Sequence, residues 1–460
     1  MKTQFLLRAL SCFLVGLDFG LSAAGAEKPR VTPPNIVVIL ADDVGYSDLA
    51  CYGNTRIRTP NIDALARGGL RLTDYHANSS VCSPTRAALL TGRYQQRAGV
   101  ETVFGMEPTE GLSPRVPTLP SFLRRAGYVT GGFGKWHLGR QAPFTPATHG
   151  FDEFIGLYTG DGDYHSRVDR SGGADWWRNE QPFVEAGYTT DLITKHSLDF
   201  IAAHRAQPFF LYVAHLAAHF PWQGPRDHAD RVVGGNYDGL AKFGSNGDKK
   251  ATFRMMVEAL DDSVGQIVAK LRELNLTKDT LIVFASDNGG YSVERGGYVN
   301  VSSNLPWRGQ KGEVFEGGHR VPGIFHWPGH ITPSVNDATV MSMDLLPTCL
   351  ELAGLPLPGA SEATDGVSLC GLILRQEALP ERTLFWRRGE TRAVRQGPWK
   401  LVMNGKTPPQ LFNLASDKGE SSNRAASEAQ RVSALRAAFA TWEADVDTSA
   451  RHLAAAKPTP

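Results

Sequence analysis

The chain has 460 residues, 42% of them hydrophobic and 21% charged, with 48 glycines and 28 prolines. That composition excludes a disordered or fibrous protein, and the length exceeds what one core usually supports, so a large domain plus a smaller one is expected. Lys and Arg number 48 against 47 Asp and Glu, a formal charge of +1, which excludes a global field that recruits nucleic acid or an anionic membrane; any anion specificity has to be local.

The chain opens with Lys2 and Arg8, an apolar run, then Ala24-Gly25-Ala26 before Glu27. This is the order of a secretory signal removed after Ala26. Residues 1–26 are read as a signal peptide and the mature protein as exported: periplasmic or extracellular, or in a lysosomal-type compartment of a eukaryote. Arg8 and Asp18 interrupt the apolar region, so an uncleaved anchor is the competing reading. No later segment is apolar for long enough to span a bilayer. Cys12 leaves with the signal, and Cys51, Cys82, Cys349 and Cys370 are too few for a disulfide framework in so long a chain, although one Cys349–Cys370 bridge stays open.

Four β-type runs then close on polar residues. "NIVVILADD" is a continuous aliphatic run ending in Asp42-Asp43, and "TLIVFASDNGG" ends in Asp287-Asn288. "GYVTGGFGKWHLG" carries Lys135 and His137, which on an extended segment leave the same face, and "PFFLYVAHLAAHFP" ends in His215 and His219. "TPNIDALARGG" and "FRMMVEALDDSVGQIVAKLREL" have helical periodicity between them. Strands alternating with helices predict an α/β sheet with continuous strands buried on both faces. Ligands bind outside the carboxyl ends of such strands, where these polar residues fall. Taken singly, Asp42-Asp43 and Asn288-Gly289 also read as turns. Jointly, three carboxylates and an amide oxygen would repel without a compensating cation, and hard oxygen ligands suit Ca²⁺ or Mg²⁺. Lys135 beside His137, with no carboxylate between them, implies an arriving anion. Lys311, with Arg308, reads as a solvated Gly-rich loop when taken alone.

In "VCSPTRAALLTGR", Ser83 can cap a helix, Pro84 fits its first position and Gly92 stops it. Cys82 then sits at a helix N-terminus, where free amides and Arg86 favour a tetrahedral oxyanion. The same field would stabilise a thiolate, so a thiol nucleophile stays open.

Cys82-Ser83-Pro84-Thr85-Arg86 followed by "AALLTGR" resembles the signature of the type I sulfatases, whose cysteine is oxidised to Cα-formylglycine. "NIVVILADDVGYSDLACYGN", "GKWHLG", "HGFDEFIG", "FASDNGG" and "EGGHRVPGIFHWPG" follow in the family's order. The chain departs from it in Thr85, where Ser is commoner, and in His319, where an aliphatic residue is usual. The resemblance implies an alkaline-phosphatase-like fold: a large mixed, mainly parallel sheet flanked by helices (27–374), then a smaller C-terminal α+β domain (375–460) with an antiparallel sheet and a helix. It implies that Asp42, Asp43, Asp287, Asn288 and modified Cys82 hold one Ca²⁺, and that Arg86, Lys135, His137, His219 and Lys311 surround the aldehyde and the sulfate. It also implies a formylglycine-generating enzyme as maturation partner, and leaves His215 as structure.

The C-terminal stretch "SEAQRVSALRAAFATWEADV" places Val432, Leu435, Phe439 and Trp442 on one helical stripe. "GLYTGDGDYHS", "HFPWQGPRDH" and "LPWRGQKGEVFEGG" resemble arylsulfatases of the N-acetylgalactosamine-4-sulfatase type, which implies hydrolysis of a sulfated carbohydrate. Trp176, Trp177 and Trp222 read equally as sugar-stacking or packing aromatics. A phosphatase or phosphonate monoester hydrolase of the same superfold, and a non-catalytic protein binding sulfated glycans, are the competing functions.

Overall fold

The computed structural model describes residues 33–455 apart from 106, 108, 295, 296, 360–362 and 406; the expected signal peptide lies outside them. In chain order the strands are β1 (Asn35–Ala41), β2 (Leu70–Leu72), β3 (Tyr75–His76), β4 (Val129–Lys135), β5 (Glu153–Leu157), β6 (Trp177–Arg178), β7 (Gln181–Pro182) and β8 (Phe209–Ala214). They continue with β9 (Thr280–Ser286), β10 (Gly323–His326), β11 (Ser334–Asn336) and β12 (Val340–Met341), then β13 (Thr383–Arg388), β14 (Thr391–Gln396), β15 (Trp399–Asn404) and β16 (Gln410–Asn413).

Ten strands form one sheet in the order β11-β2-β10-β9-β1-β8-β4-β5-β6-β7. Its centre is parallel: β1 pairs with β8 and β9, and β4 with β8 and β5. Toward one edge β10 runs antiparallel to β9 and β2. The alternation of β1 explains its unbroken aliphatic run. Val37 and Ile39 enter one apolar cluster with helices α1 (Pro60–Gly68), α4 (Thr189–Ala203) and α5 (Lys249–Glu273). Ile36, Val38 and Leu40 enter the cluster on the other face, with α2 (Cys82–Thr91), α3 (Leu119–Arg125) and α7 (Leu345–Leu352). Both faces are covered, so no polar alternation is tolerated.

A separate antiparallel sheet, β13-β14-β15-β16, carries a third cluster with α9 (Ala429–Ala455), which buries Leu435, Phe439 and Trp442. It leans on the large sheet's unit through Trp386, whose indole N–H donates to the Ala77 carbonyl at 3.0 Å.

Several local expectations are corrected. Helix α2 starts at Cys82, two residues earlier than a Ser83 cap would place it, and Val81 precedes it without a side-chain cap. The Ser83 hydroxyl accepts from the Phe104 N–H, while Thr85 ties the helix to Ser79 by accepting from its N–H and donating to its carbonyl. Gly92 does end the helix, at φ 66°. Cys349 and Cys370 are both free thiols. Trp176 and Trp222 are buried and Trp177 stacks on Tyr158 at 4.8 Å, so all three are packing aromatics.

Candidate active site

The strand ends converge as the α/β pattern requires. Asp42 and Asp43 follow β1, and Asp287 and Asn288 follow the adjacent β9, where the Asp287 N–H donates to the Ala41 carbonyl. One oxygen from each of Asp42, Asp43 and Asp287 lies within 4.8 Å of the others. Asp43 is held at φ 60°, a left-handed conformation that a non-glycine residue keeps only where the surroundings enforce it. The enforcing contacts are its N–H to Asp287 Oδ1 at 3.3 Å and the Asn288 amide nitrogen donating to its Oδ1 at 2.7 Å.

The compensating charge is already present in the chain. Lys135 Nζ meets Asp42 Oδ2 at 2.5 Å, Lys311 Nζ meets Asp43 Oδ1 at 2.5 Å, and Arg86 reaches Asp287 Oδ2 at 2.9 Å and Asp42 Oδ2 at 3.4 Å. This corrects the expectation that Lys135 lacks a carboxylate partner. Three acids face three bases, so charge repulsion alone does not call for a metal. Unsatisfied oxygens do: Asp43 Oδ2 and Asn288 Oδ1 are buried and accept no hydrogen bond. Burial pushes the Asp42 and Asp287 carboxyls up against the pull of Lys135 and Arg86. A buried orphan carboxylate oxygen beside an orphan amide oxygen fits a hard divalent cation.

Lys135 and His137 do not share a face. Lys135 is the last residue of β4, whereas His137 lies beyond it at φ 55°, which breaks the strand alternation. Arg86 and Lys135 are fully buried behind the carboxylates. His137, His219, Lys311 and Cys82 instead line a cavity of about 700 Å³. His215 sits apart, its Nε2 on Ser263 Oγ at 3.0 Å.

Burial pushes the Cys82 thiol up to about 12, with Lys135 and Lys311 pulling the other way. Desolvation therefore overrides the helix N-terminus, and the unmodified side chain stays a thiol, a poor nucleophile. Burial and the nearby lysines hold both His137 and His219 well below the usual histidine range, so both rings are neutral. The Phe220 carbonyl accepts from His219 Nδ1 at 2.6 Å, leaving Nε2 as the lone pair, 3.8 Å from Asp43 Oδ2. The Phe104 carbonyl accepts from His137 Nε2 at 3.2 Å, so the unpartnered Nδ1 is its lone pair. The ring is pressed against Gly160, where a Cβ would come within 2.1 Å of it.

Residues 34–355 match the sulfatase family. The chain belongs to the sulfatase family. It is 34% identical to arylsulfatase A of Homo sapiens over 454 residues, covering 87% of this chain and 85% of that one. It is 38% identical to N-acetylgalactosamine-6-sulfatase of Sus scrofa over 397 residues, covering 81% and 71%. The crystal structure of Ps i-CgsB in complex with k-i-k-neocarrahexaose superposes with a TM-score of 0.79 at 30% identity, covering 89% of this chain and 93% of that one. This sulfatase is a sulfuric ester hydrolase on an alkaline-phosphatase-like fold, and no helix among its described residues is long and apolar enough to cross a membrane.

Residues not singled out from the sequence complete the cavity: Phe104 and Gly160, Tyr291 stacked on Tyr298 at 4.4 Å, and Arg170 ion-paired to Asp161 at 2.6 Å. Gly160 and Asp161 fall in "GLYTGDGDYHS" and Gln310 in "LPWRGQKGEVFEGG", segments whose resemblance was the available signal. Nothing local marks Phe104 or Tyr298.

Proposed function

We propose that this sulfatase removes sulfate from a sulfated carbohydrate, with Cys82 converted to formylglycine by a formylglycine-generating enzyme and one Ca²⁺ held by Asp42, Asp43, Asp287, Asn288 and the modified residue. The observation that carries this reading is Cys82 at a cavity floor beside the orphan oxygens of Asp43 and Asn288. The carbohydrate assignment is supported by the relatives' names, by the neocarrahexaose bound in the related structure and by the Tyr291–Tyr298 wall. We assign residues 1–26 to export, 27–374 to the catalytic domain and 375–460 to the C-terminal domain. The last division is supported by a family match ending at residue 355 and a four-stranded sheet starting at Thr383.

A bound divalent ion supplies Lewis-acid charge at the sulfate and acidifies a hydroxyl on residue 82. Arg86 and Lys135 orient the carboxylates beneath it and set their charge. Lys311 presents its ammonium to the sulfate oxygens at the cavity wall. His137 Nδ1, as a lone pair, accepts a proton from a hydroxyl on residue 82. His219 Nε2 takes a proton from solvent as the anionic ester enters, and donates it to the alcohol oxygen as the residue-82 oxygen bonds to sulfur and the ester S–O bond breaks.

Peptide mass spectrometry of protein from a host with the modifying machinery is expected to find an aldehyde at residue 82. Aryl sulfate is expected to be cleaved in preference to aryl phosphate. An unmodified Cys82 in fully active protein would overturn the nucleophile assignment.

A further inference from the structure

The hairpin of β13 and β14 carries Arg387, Arg388 and Arg392 around its turn, and only Arg388 lines the active-site cavity. Strand alternation points Phe385 and Arg387 toward α9, where Phe385 stacks on Trp442 and Arg387 pairs with Glu443 and Asp447; Arg387 also pairs with Glu101. Arg392 pairs with Glu443 at 2.9 Å. Trp386 and Arg388 share the opposite face, Trp386 being buried against Ala77 and Arg388, at the end of the strand, reaching the active-site cavity. Among the described residues Arg388 forms no ion pair; its Nε donates to the Gly312 carbonyl at 3.1 Å. Gly312 follows Lys311, and its N–H donates to the Ser80 carbonyl at 2.8 Å, two residues before Cys82. The guanidinium is thus anchored through one backbone carbonyl, that of Gly312, which is itself tied to the segment before Cys82, while its remaining donors stay uncommitted.

Acidic groups on the other walls do not answer it. Asp161 is engaged by Arg170 and by Arg231, the latter at 2.7 Å, and Asp238 also lines the cavity. Arg388 and Gly312 also line a second hollow of about 900 Å³ that continues over the hairpin past Thr391. The cleft therefore extends beyond the sulfate toward Arg388. A half-buried guanidinium without a carboxylate is costly unless an anion arrives, and its planar fork suits carboxylate or sulfate oxygens.

We propose that Arg388 is a specificity-determining residue that binds a second anionic group, a carboxylate or a second sulfate, on the sugar bearing the reacting ester or on its neighbour. The proposal rests on the sulfated-carbohydrate reading above.

The test compares three oligosaccharides sharing the same reacting sulfated sugar: one with an added uronate carboxylate, one with an added sulfate, one with neither. The measured quantity is the ratio of kcat/KM for each anionic substrate to that for the neutral one, in wild type, Arg388→Ala and Arg388→Lys, with thermal unfolding to verify folding. Loss of a charge-assisted contact predicts a fall in that ratio of about 10–100-fold in Arg388→Ala, carried by KM, with a smaller fall in Arg388→Lys. The anionic substrate whose ratio falls identifies the source of the charge. Ratios unchanged in Arg388→Ala for both anionic substrates would overturn the Arg388 assignment alone. Wild type that cleaves aryl sulfate but none of the three oligosaccharides would overturn the carbohydrate reading and the proposal with it.

Discussion

The two cavity histidines differ in which ring nitrogen is left as the lone pair, and that difference predicts different kinetic phenotypes. His219 has Nδ1 committed to Phe220 and Nε2 free; His137 has Nε2 committed to Phe104 and Nδ1 free. If His219 protonates the departing oxygen, His219→Ala should lose about 10²–10⁴-fold in turnover on esters of weakly acidic alcohols and much less on esters of acidic phenols. His137→Ala should lose activity to a similar extent across the series, because its proton comes from residue 82 instead of the leaving group. A series of aryl sulfates spanning phenol acidity checks both, and identical slopes for the two variants would remove the division of labour. A second prediction concerns Gly160. Its Cβ would fall 2.1 Å from the His137 ring, so Gly160→Ala should displace that ring and lower kcat while leaving the melting temperature within a few degrees. The identities of the polar groups were readable from the runs that end in them. Their facing was not: the left-handed backbone at His137 separates it from Lys135, and nothing in "GKWHLG" announces that turn.

At the level of elements, the small sheet is fixed to the large one by a buried polar chain built from β3, α6 (Glu316–His319), β14 and β15. Lys400 donates to His319 Nε2 at 3.1 Å, His319 Nδ1 faces His76 Nδ1 at 2.9 Å, and His76 Nε2 meets Asp74 Oδ1 at 2.8 Å. Two tautomer sets compete here: His319 Nε2 accepts from Lys400 or donates to the Val314 carbonyl at 3.2 Å, and His76 Nε2 correspondingly donates to Asp74 or accepts from Arg395 at 3.0 Å. Arg395 and Arg320 also grip Asp74, and Lys400 grips Glu316 and Glu420. Burial holds His76 and His319 below the usual range, so from about pH 6.5 downward the unfolded chain binds two protons that the folded chain refuses, and stability falls. Glu420 opposes this: burial pushes it up to about 7, so the folded chain retains a proton there that the unfolded chain releases. From these three groups the net difference is at most about one proton, or about 1.4 kcal/mol per pH unit. Below the carboxylate range Asp74 and Glu316, whose cationic partners outweigh burial and hold them low, add to the loss. His76→Gln should therefore show a shallower fall in melting temperature between pH 7 and pH 5 than wild type, whereas Glu420→Gln should show a steeper one. Parallel pH profiles for all three proteins would refute the assignment. Replacing Lys400 by Met leaves Glu316 short of its nearest cation and should cost about 3–5 kcal/mol. This junction was not legible in the sequence, where His319 stood out only as an unusual residue; the pairing spans more than 80 positions and has no local signature.

Across the whole molecule, the parallel sheet was legible because strands buried on both faces need unbroken apolar runs, and three of its central strands, β1, β8 and β9, are such runs, whereas β4 is glycine-rich. The same architecture decides what a divalent ion does to the protein. Asp42 and Asp43 leave β1, Asp287 and Asn288 leave β9, and Lys311 reaches them from a distant loop. The ligands meet only in the folded chain, so an ion held by them stabilises it by mass action, by about 2.7 kcal/mol at a hundredfold excess over Kd. Without the ion, three carboxylates balance Arg86, Lys135 and Lys311; with it the site would carry an excess of two positive charges, more than the single negative charge of an incoming sulfate ester. Calorimetry of the intact protein should therefore show a melting temperature a few degrees higher in millimolar Ca²⁺ than in chelator, with sulfate raising it further only when the ion is present. Asp43→Asn and Asp287→Asn should abolish the metal-dependent shift while unfolding cooperatively, because their loss removes ligands and leaves the apolar core intact. Equal melting temperatures with and without chelator would refute the metal site without reference to catalysis, and a shift retained in Asp43→Asn would move the ion away from the strand ends.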